Sequence, residues 1–312
     1  GYIAAGQIGA NAYAVKLDSS GTFEYEATFS GVKIRSVQQT SDGGYIMAGY
    51  YVYNSGLGDI DLAYLIKTDS ALDTAGSYSF SKGWSGNQSD KWQQTFDMMS
   101  RAYSVQETSG GEYIITGRKQ GTGFPPGYDG YLVKTNSAGG VIWDEAYDGG
   151  DNDCFYSVKE TADGEFIVAG INHAVDTSPY WLNSDIWILK IDSTDGGIID
   201  QSTFSNGSTK TDYAFSVDQT SDGGYILAGK TTDTASGHYD AYLIKTDSNL
   251  DMVFEKRFGG GSADDDFRSV IQTSDGGYIM SGYSIVFGVL TYVVKTDQLG
   301  NCPQHLSPSP EP

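Results

Sequence analysis

The pattern Ser-Val-x-x-Thr-x-Asp-Gly-Gly-Tyr-Ile-x-Ala-Gly recurs along this chain. It is clearest at Ser36–Gly49, Ser216–Gly229 and Ser269–Gly282, and looser at Ser104–Gly117 and Ser157–Gly170. A half copy, Gly1-Tyr2-Ile3-Ala4-Ala5-Gly6, opens the sequence. A repeated unit that cannot bury its own apolar face must stack against its neighbours, so the shared residues read as scaffold and function is sought where the copies differ.

The motif aromatic falls at Tyr2, Tyr45, Tyr113, Phe166, Tyr225 and Tyr278. That is a period of roughly fifty to sixty residues, within the range of propeller blades. Each period carries four strand signals. Ser-Val-x-x-Thr and Gly-Tyr-Ile-x-Ala-Gly are joined by a tight Asp-Gly turn, as at Asp42-Gly43. A third, mostly apolar run recurs as Tyr64–Lys67, Tyr131–Lys134, Trp187–Lys190, Asp240–Asp247 and Tyr292–Lys295. The fourth sets aromatics four apart, on one strand face: Tyr25/Phe29, Trp92/Phe96, Trp143/Tyr147 and Phe254/Phe258. With no helical periodicity, the expectation is an all-β propeller of six blades of four antiparallel strands, or seven if sequence precedes Gly1. Residues 1–301 form one propeller domain, and 302–312, rich in Pro and Ser, form a linker or tail. The first and fourth strands are signalled five times and the second and third six times. The chain thus starts inside one blade and stops inside another, which suggests a lost N-terminal segment or an edge that accepts a partner strand.

These repeats, followed by Tyr-Leu-Ile-Lys-Thr-Asp, resemble the propeller repeats of large secreted and surface proteins of archaea and bacteria, over nearly the whole chain. The resemblance implies an extracellular or cell-surface setting and a binding or structural role. It supplies no catalytic residues to carry over.

Forty acidic residues against 19 basic give a net charge of −21, which disfavours nucleic acid and anionic membranes as partners. No apolar run is long enough to span a membrane. The two cysteines, Cys154 and Cys302, make neither a disulfide scaffold nor a zinc site. Asn87-Gln88-Ser89 and Asn206-Gly207-Ser208 are glycosylation sequons in loop-like sequence.

The Asp-Gly turns are uniform, so the variable side of each blade carries the second-to-third and inter-blade connections, where binding usually sits. There copy two offers Tyr50, Tyr51, Tyr53 and Asp59, copy three Phe124 and Tyr128, and copy four His173, Tyr180 and Trp181. Tyr51, Tyr53, Phe124, Tyr128, Tyr180 and Trp181 are therefore candidate binding aromatics, unless they serve as cores for their own loops. The inter-blade loops carry two acidic runs, Asp148/Asp151/Asp153 and Asp264/Asp265/Asp266, which are candidate calcium ligands or strand caps. Calcium is the one cofactor suggested. The lysine ending each third strand, next to an aspartate in most copies, reads as a repeated structural ion pair or as a snorkelling stem at the blade edge.

Arg35, Arg101, Arg118, Arg257 and Arg268 are repeat residues that give no arginine cluster, and three histidines make a thin general-base constellation. The sequence reads as a non-catalytic extracellular module that binds a surface protein, a glycan or copies of itself. The alternative is a carbohydrate-active enzyme, a glycoside hydrolase or lyase, with its site on the loop face of blades two to four.

Overall fold

The computed structural model describes residues 1–9, 11–54, 59–74, 85–88, 91–98, 101–121, 127–150, 152–173, 184–207, 210–232, 237–260, 263–285 and 288–302. The protein is a six-bladed, all-β propeller, and the described residues contain no helix. Blade 1 has β1 (Tyr2–Ile8), β2 (Asn11–Leu17) and β3 (Phe23–Phe29). Blade 2 has β4 (Val32–Gln39), β5 (Tyr45–Asn54), β6 (Asp59–Thr68), β7 (Ser85–Gln88) and β8 (Lys91–Met98). Blade 3 has β9 (Arg101–Glu107), β10 (Tyr113–Gln120), β11 (Tyr128–Thr135) and β12 (Val141–Tyr147). Blade 4 has β13 (Cys154–Glu160), β14 (Phe166–His173), β15 (Ser184–Ile191) and β16 (Ile198–Phe204). Blade 5 has β17 (Asp212–Gln219), β18 (Tyr225–Thr232), β19 (Tyr239–Thr246) and β20 (Met252–Phe258). Blade 6 has β21 (Asp264–Gln272), β22 (Tyr278–Ile285) and β23 (Val289–Thr296). Strand order follows the chain, except that β7 adds outside β8 in blade 2. Among the described residues, blades 1 and 6 show three strands each, without a counterpart of the first and of the fourth repeat strand respectively.

By contacts the chain forms two compact units, one of Gly1–Gly164 with Ser193–Gly196, the other of Glu165–Asp192 with Gly197–Pro312. In the first, Ile46, Ala48 and Leu65 of blade 2 pack on Val105, Tyr113, Ile115 and Val133 of blade 3. In the second, Ile226, Ala228 and Leu243 of blade 5 pack on Phe267, Val270, Met280 and Val294 of blade 6. Each fully buried Ile, Leu, Val, Met or Phe side chain among them contributes about 1.5–3 kcal/mol. In the end blades apolar side chains stay at the surface: Tyr2 and Ile8 in β1, and Val289, Leu290 and Val293 in β23, although Leu243, at the position of Val293 in blade 5, is buried.

The motif residues resolve into separate jobs. The Asp-Gly hairpin is a three-residue loop rather than a two-residue one: Thr40 N–H donates to Gly44 O and Gly43 N–H to Thr40 O, both at 2.9 Å. Gly43 takes φ 83°, a left-handed conformation that suits glycine. The Asp42 carboxylate accepts from Thr40 Oγ1 (2.6 Å) and Gly44 N–H (2.9 Å). It also pairs with Lys67 Nζ at 2.7 Å. The repeated ion pair therefore runs from the third strand back to the hairpin turn, as again at Lys245–Asp222 (3.0 Å) and Lys295–Asp275 (2.9 Å), and not to the adjacent aspartate. Asp69, that neighbour, instead closes the next turn by accepting from the Ala71 and Asp73 amides at 2.9 Å. The motif serine and the residues after it stitch blades together. Ser36 Oγ accepts from Val105 N–H (3.3 Å) and Gln38 Oε1 from Glu107 N–H (2.8 Å). Ser41 in the turn of blade 2 donates to Glu107 through its amide (2.6 Å) and hydroxyl (3.0 Å).

Candidate functional site

One irregularity in the scaffold decides where the copies display their differences. The pairing of β4 with β5 slips between Ile34 and Ser36, leaving Arg35 without a ladder partner; it is a β-bulge. The same slip leaves Tyr103 in β9, Phe215 in β17 and Arg268 in β21 outside the ladder. Opposite each bulge stands the last glycine of the motif. A Cβ on Gly49, Gly117, Gly229 or Gly282 would fall 1.7–1.8 Å from the carbonyl oxygen of Lys33, Arg101, Tyr213 or Asp266. Gly6, in the blade without a first strand, meets nothing within 4 Å. The invariant glycine thus permits the close crossing that presents a variable residue on the inner strand, a usual service of bulges near functional sites.

In the first unit these variable residues converge at the strand ends that bear the second-to-third and inter-blade connections. Tyr50 is buried, 3% exposed, and directly opposite Lys33 in the ladder. Its ring is approached by Lys33 Nζ at 5.5 Å, Arg35 Cζ at 5.6 Å and Arg101 Cζ at 4.7 Å from the centroid. Arg35 Nη2 donates to the Tyr50 hydroxyl at 3.2 Å, and Arg35 is itself exposed. Burial alone would raise the Tyr50 phenol, but the Arg35 hydrogen bond and the charges of Arg35, Arg101 and Lys33 outweigh it and hold the pKa below its ordinary value. Arg101 is ion-paired with Asp61. Beside it Tyr103 packs edge-on against Tyr156 at 5.1 Å, and burial pushes the Tyr103 hydroxyl up to about 12. The Cys154 thiol is fully buried, and burial pushes it too up to about 12, so it is an inert core group.

The arginines that sequence spacing left scattered are therefore partly assembled here. The missing signal was the bulge, which brings a first-strand residue of one blade beside that of the next. Tyr50, Tyr51, Tyr53 and Asp59 are not loop residues: the alternating run continues the ladder, pairing Tyr51 with Leu62 and Asn54 with Asp59. Tyr128 likewise begins β11, opposite Gln120, with the Arg118 guanidinium 4.1 Å above its ring. Phe124, Asp151, Tyr180 and Trp181 lie outside the described residues, as do the side chains of Tyr53, Asn87 and His173.

The acidic runs separate rather than gather. Asp148 is exposed and accepts from Gly150 N–H (3.1 Å), while buried Asp153 accepts from Gly149 N–H. Asp264–Asp266 belong to strand β21, not to a loop, and each has different surroundings. Asp264 accepts from Tyr239 N–H (2.9 Å) and sits 3.2 Å from His238 Nδ1. Asp265 is buried near Gly259, and Asp266 pairs with Arg268 at 2.7 Å. Among the described residues no three His, Cys, Asp or Glu side chains are grouped to hold a metal ion. Asn206 Nδ2 donates to Thr231 Oγ1 at 3.0 Å.

The second unit repeats the aromatic-cation theme, with a carboxylate paired to one of its cations. Lys230 Nζ lies 3.7 Å from the Tyr239 centroid and 4.8 Å from that of Tyr213, with burial lowering its pKa. Arg268 covers Phe215 at 3.8 Å and is neutralised by Asp266. A pocket of about 330 Å³ in the first unit, lined by residues including Tyr2, Lys16, Glu24 and Tyr45, also contains a paired cation, since Lys16 meets Glu24 at 2.8 Å.

No family model and no curated protein sequence matches the chain. Its fold is similar to a solved protein of unknown function from Dyadobacter fermentans, at 13% identity and a TM-score of 0.56 over 91% of this chain and 82% of that one. Weaker likenesses are an endo-arabinase from Bacteroides thetaiotaomicron (10% identity, TM-score 0.42, 83% of this chain and 92% of that one) and a xylan β-1,4-xylosidase from Bacillus halodurans (15%, 0.36, 85% and 53%). At such identities a likeness speaks for the fold alone, and the fold is the propeller.

Proposed function

We propose that this protein is a non-catalytic binding module of the cell exterior, which recognises a glycan through the variable-loop end of its inner strands. The observation that carries the reading is the set of side chains held around Tyr50. Three cations and a pair of tyrosine rings sit on rigid strands beside connections that differ from blade to blade, an arrangement suited to recognition. The repeat resemblance supports the extracellular setting. Calcium bound at either acidic run stays a separate proposal, testable by melting with and without chelator. The main test is a glycan panel read for retention and, in the same samples, for release of reducing ends. Retention without release is expected; release would instead make the protein a carbohydrate-active enzyme.

A second reading is association with another copy through the end blades. It is favoured by the exposure of Val289, Leu290 and Val293 on the edge strand β23. Light scattering across a concentration series tests it, and a constant monomer mass removes it.

A further inference from the structure

We infer that the Tyr50 cluster binds a carboxylate, and that this carboxylate belongs to an acidic sugar of a polysaccharide. The inference rests on the reading of the protein as a glycan-binding module and names the ligand class of that site. Its basis is a local charge imbalance. Elsewhere in the described chain several cations near the repeat strands meet a carboxylate: Lys16 with Glu24, Lys67 with Asp42, Lys134 with Glu112, Lys245 with Asp222, and Arg268 with Asp266. Around Tyr50, among the described residues, three cations share a single carboxylate, Asp61, which is bound to Arg101. Lys33 and Arg35 have no carboxylate within ion-pair distance among the described residues. In a chain with 40 acidic and 19 basic side chains, two cations held beside one ring without a counter-ion mark a place where an anion would be stabilised.

The geometry suits a carboxylate. Arg35 is anchored by its bond to the Tyr50 hydroxyl, which limits the side-chain freedom lost on binding, and it is exposed, so the remaining N–H groups of its planar fork can serve a two-oxygen acceptor. The bulge fixes its backbone on a strand rather than a loop. Next to the cations, the Tyr103–Tyr156 pair and the Arg118-capped Tyr128 supply apolar ring surface with polar edges, which suits a sugar more than a bare ion. The overall charge of −21 does not forbid this, because at physiological ionic strength charges beyond about 8 Å are largely screened and the nearby cations dominate.

The experiment is calorimetric titration of the full chain with galacturonate oligomers, alongside neutral galactan oligomers, polyglutamate and sodium sulfate as separate probes. Arg35→Ala and the double substitution Lys33→Ala/Arg35→Ala are compared with the parent, and melting confirms that each variant folds. Saturable binding of galacturonate oligomers is expected, weakened at least tenfold by Arg35→Ala and partly restored by Arg35→Lys, with the melting temperature unchanged. Absence of saturable binding, or binding indifferent to Arg35→Ala in a folded variant, overturns the inference. Equal affinity for polyglutamate would assign the site to an acidic protein, and equal affinity for sulfate to a bare oxyanion; either overturns the sugar assignment. Retention of a neutral glycan that ignores Arg35 would leave the binding-module reading standing while this inference falls. Cleavage of the oligomers would reverse that outcome.

Discussion

Gly49 stands so close to Lys33 that a Cβ on the glycine would fall 1.8 Å from the lysine carbonyl oxygen. Backbone cannot yield as a flexible side chain can, so Gly49→Ala must open the bulge that carries Arg35. We expect a loss of about 3 kcal/mol, whereas Gly6→Ala, at the same motif position with nothing within 4 Å, should stay within about 0.5 kcal/mol. Denaturant unfolding of the two variants checks this, and equal effects would refute the bulge as the reason for the glycine.

The Lys67 ammonium is 3% exposed while its partner Asp42 is 50% exposed. Removing the carboxylate strands a buried charge, which costs about 3–5 kcal/mol in fully buried pairs. With Asp42 half in water, Asp42→Ala should cost about 2 kcal/mol. In double-mutant cycles with Lys67→Met, the coupling should appear with Asp42 and be smaller with Asp69.

Although partial burial raises them, hydrogen bonds from Lys67, Thr40 and Gly44 bring the Asp42 carboxyl down to about 2, and those from Thr220, Lys245 and Gly224 do the same for Asp222. An unfolded aspartate titrates near 4. The stabilisation is therefore complete above about pH 4 and is lost as pH falls through about 2. Burial raises Asp185, Asp212 and Asp266, and these act with the opposite sign. The comparison is thus made site by site: Asp222→Asn should flatten the loss of denaturant midpoint between pH 4 and 2.

Tyr50 and Tyr103 should ionise in two well-separated phases. The cations around Tyr50 hold its phenol below the ordinary value, while Tyr103 is pushed up to about 12. In ultraviolet titration Tyr50→Phe should delete an early phase and Tyr103→Phe a late one. Arg35→Ala should move the early phase upward.

Glu107 receives both the amide and the hydroxyl of Ser41 from the neighbouring blade. Bonds to a charged acceptor contribute about 1.5–3 kcal/mol, and this one is exposed, so Glu107→Ala should cost about 1 kcal/mol and Glu107→Gln less. A smaller melting shift is expected in Ser41→Ala, which keeps the amide bond, and fully additive shifts in the double variant would exclude the latch.

The repeat was sufficient to read the fold. The alternation of Ser-Val-x-x-Thr and Gly-Tyr-Ile-x-Ala-Gly, the turn between them and the apolar third strand are local signals. They returned the six blades, the five first strands and the two incomplete ends in order. Local rules also placed the repeated lysine in an ion pair. They chose the wrong aspartate, because Asp69 is near in sequence while Asp42 is near in space, across the hairpin.

The site was less legible for the same reason. Arg35, Tyr50 and Arg101 lie in three different strands of two blades, and the sequence shows only their residue types. Their meeting depends on a one-residue slip in the ladder that no side chain announces, except through a glycine whose need for space becomes visible once Lys33 is placed against it. Composition and periodicity decided that the chain builds stacked antiparallel blades, since burial of alternating apolar faces depends on pattern alone. Which cations gather, and which remain without a carboxylate, was decided by tertiary packing, because charge balance depends on distances between segments that the order of the chain does not contain.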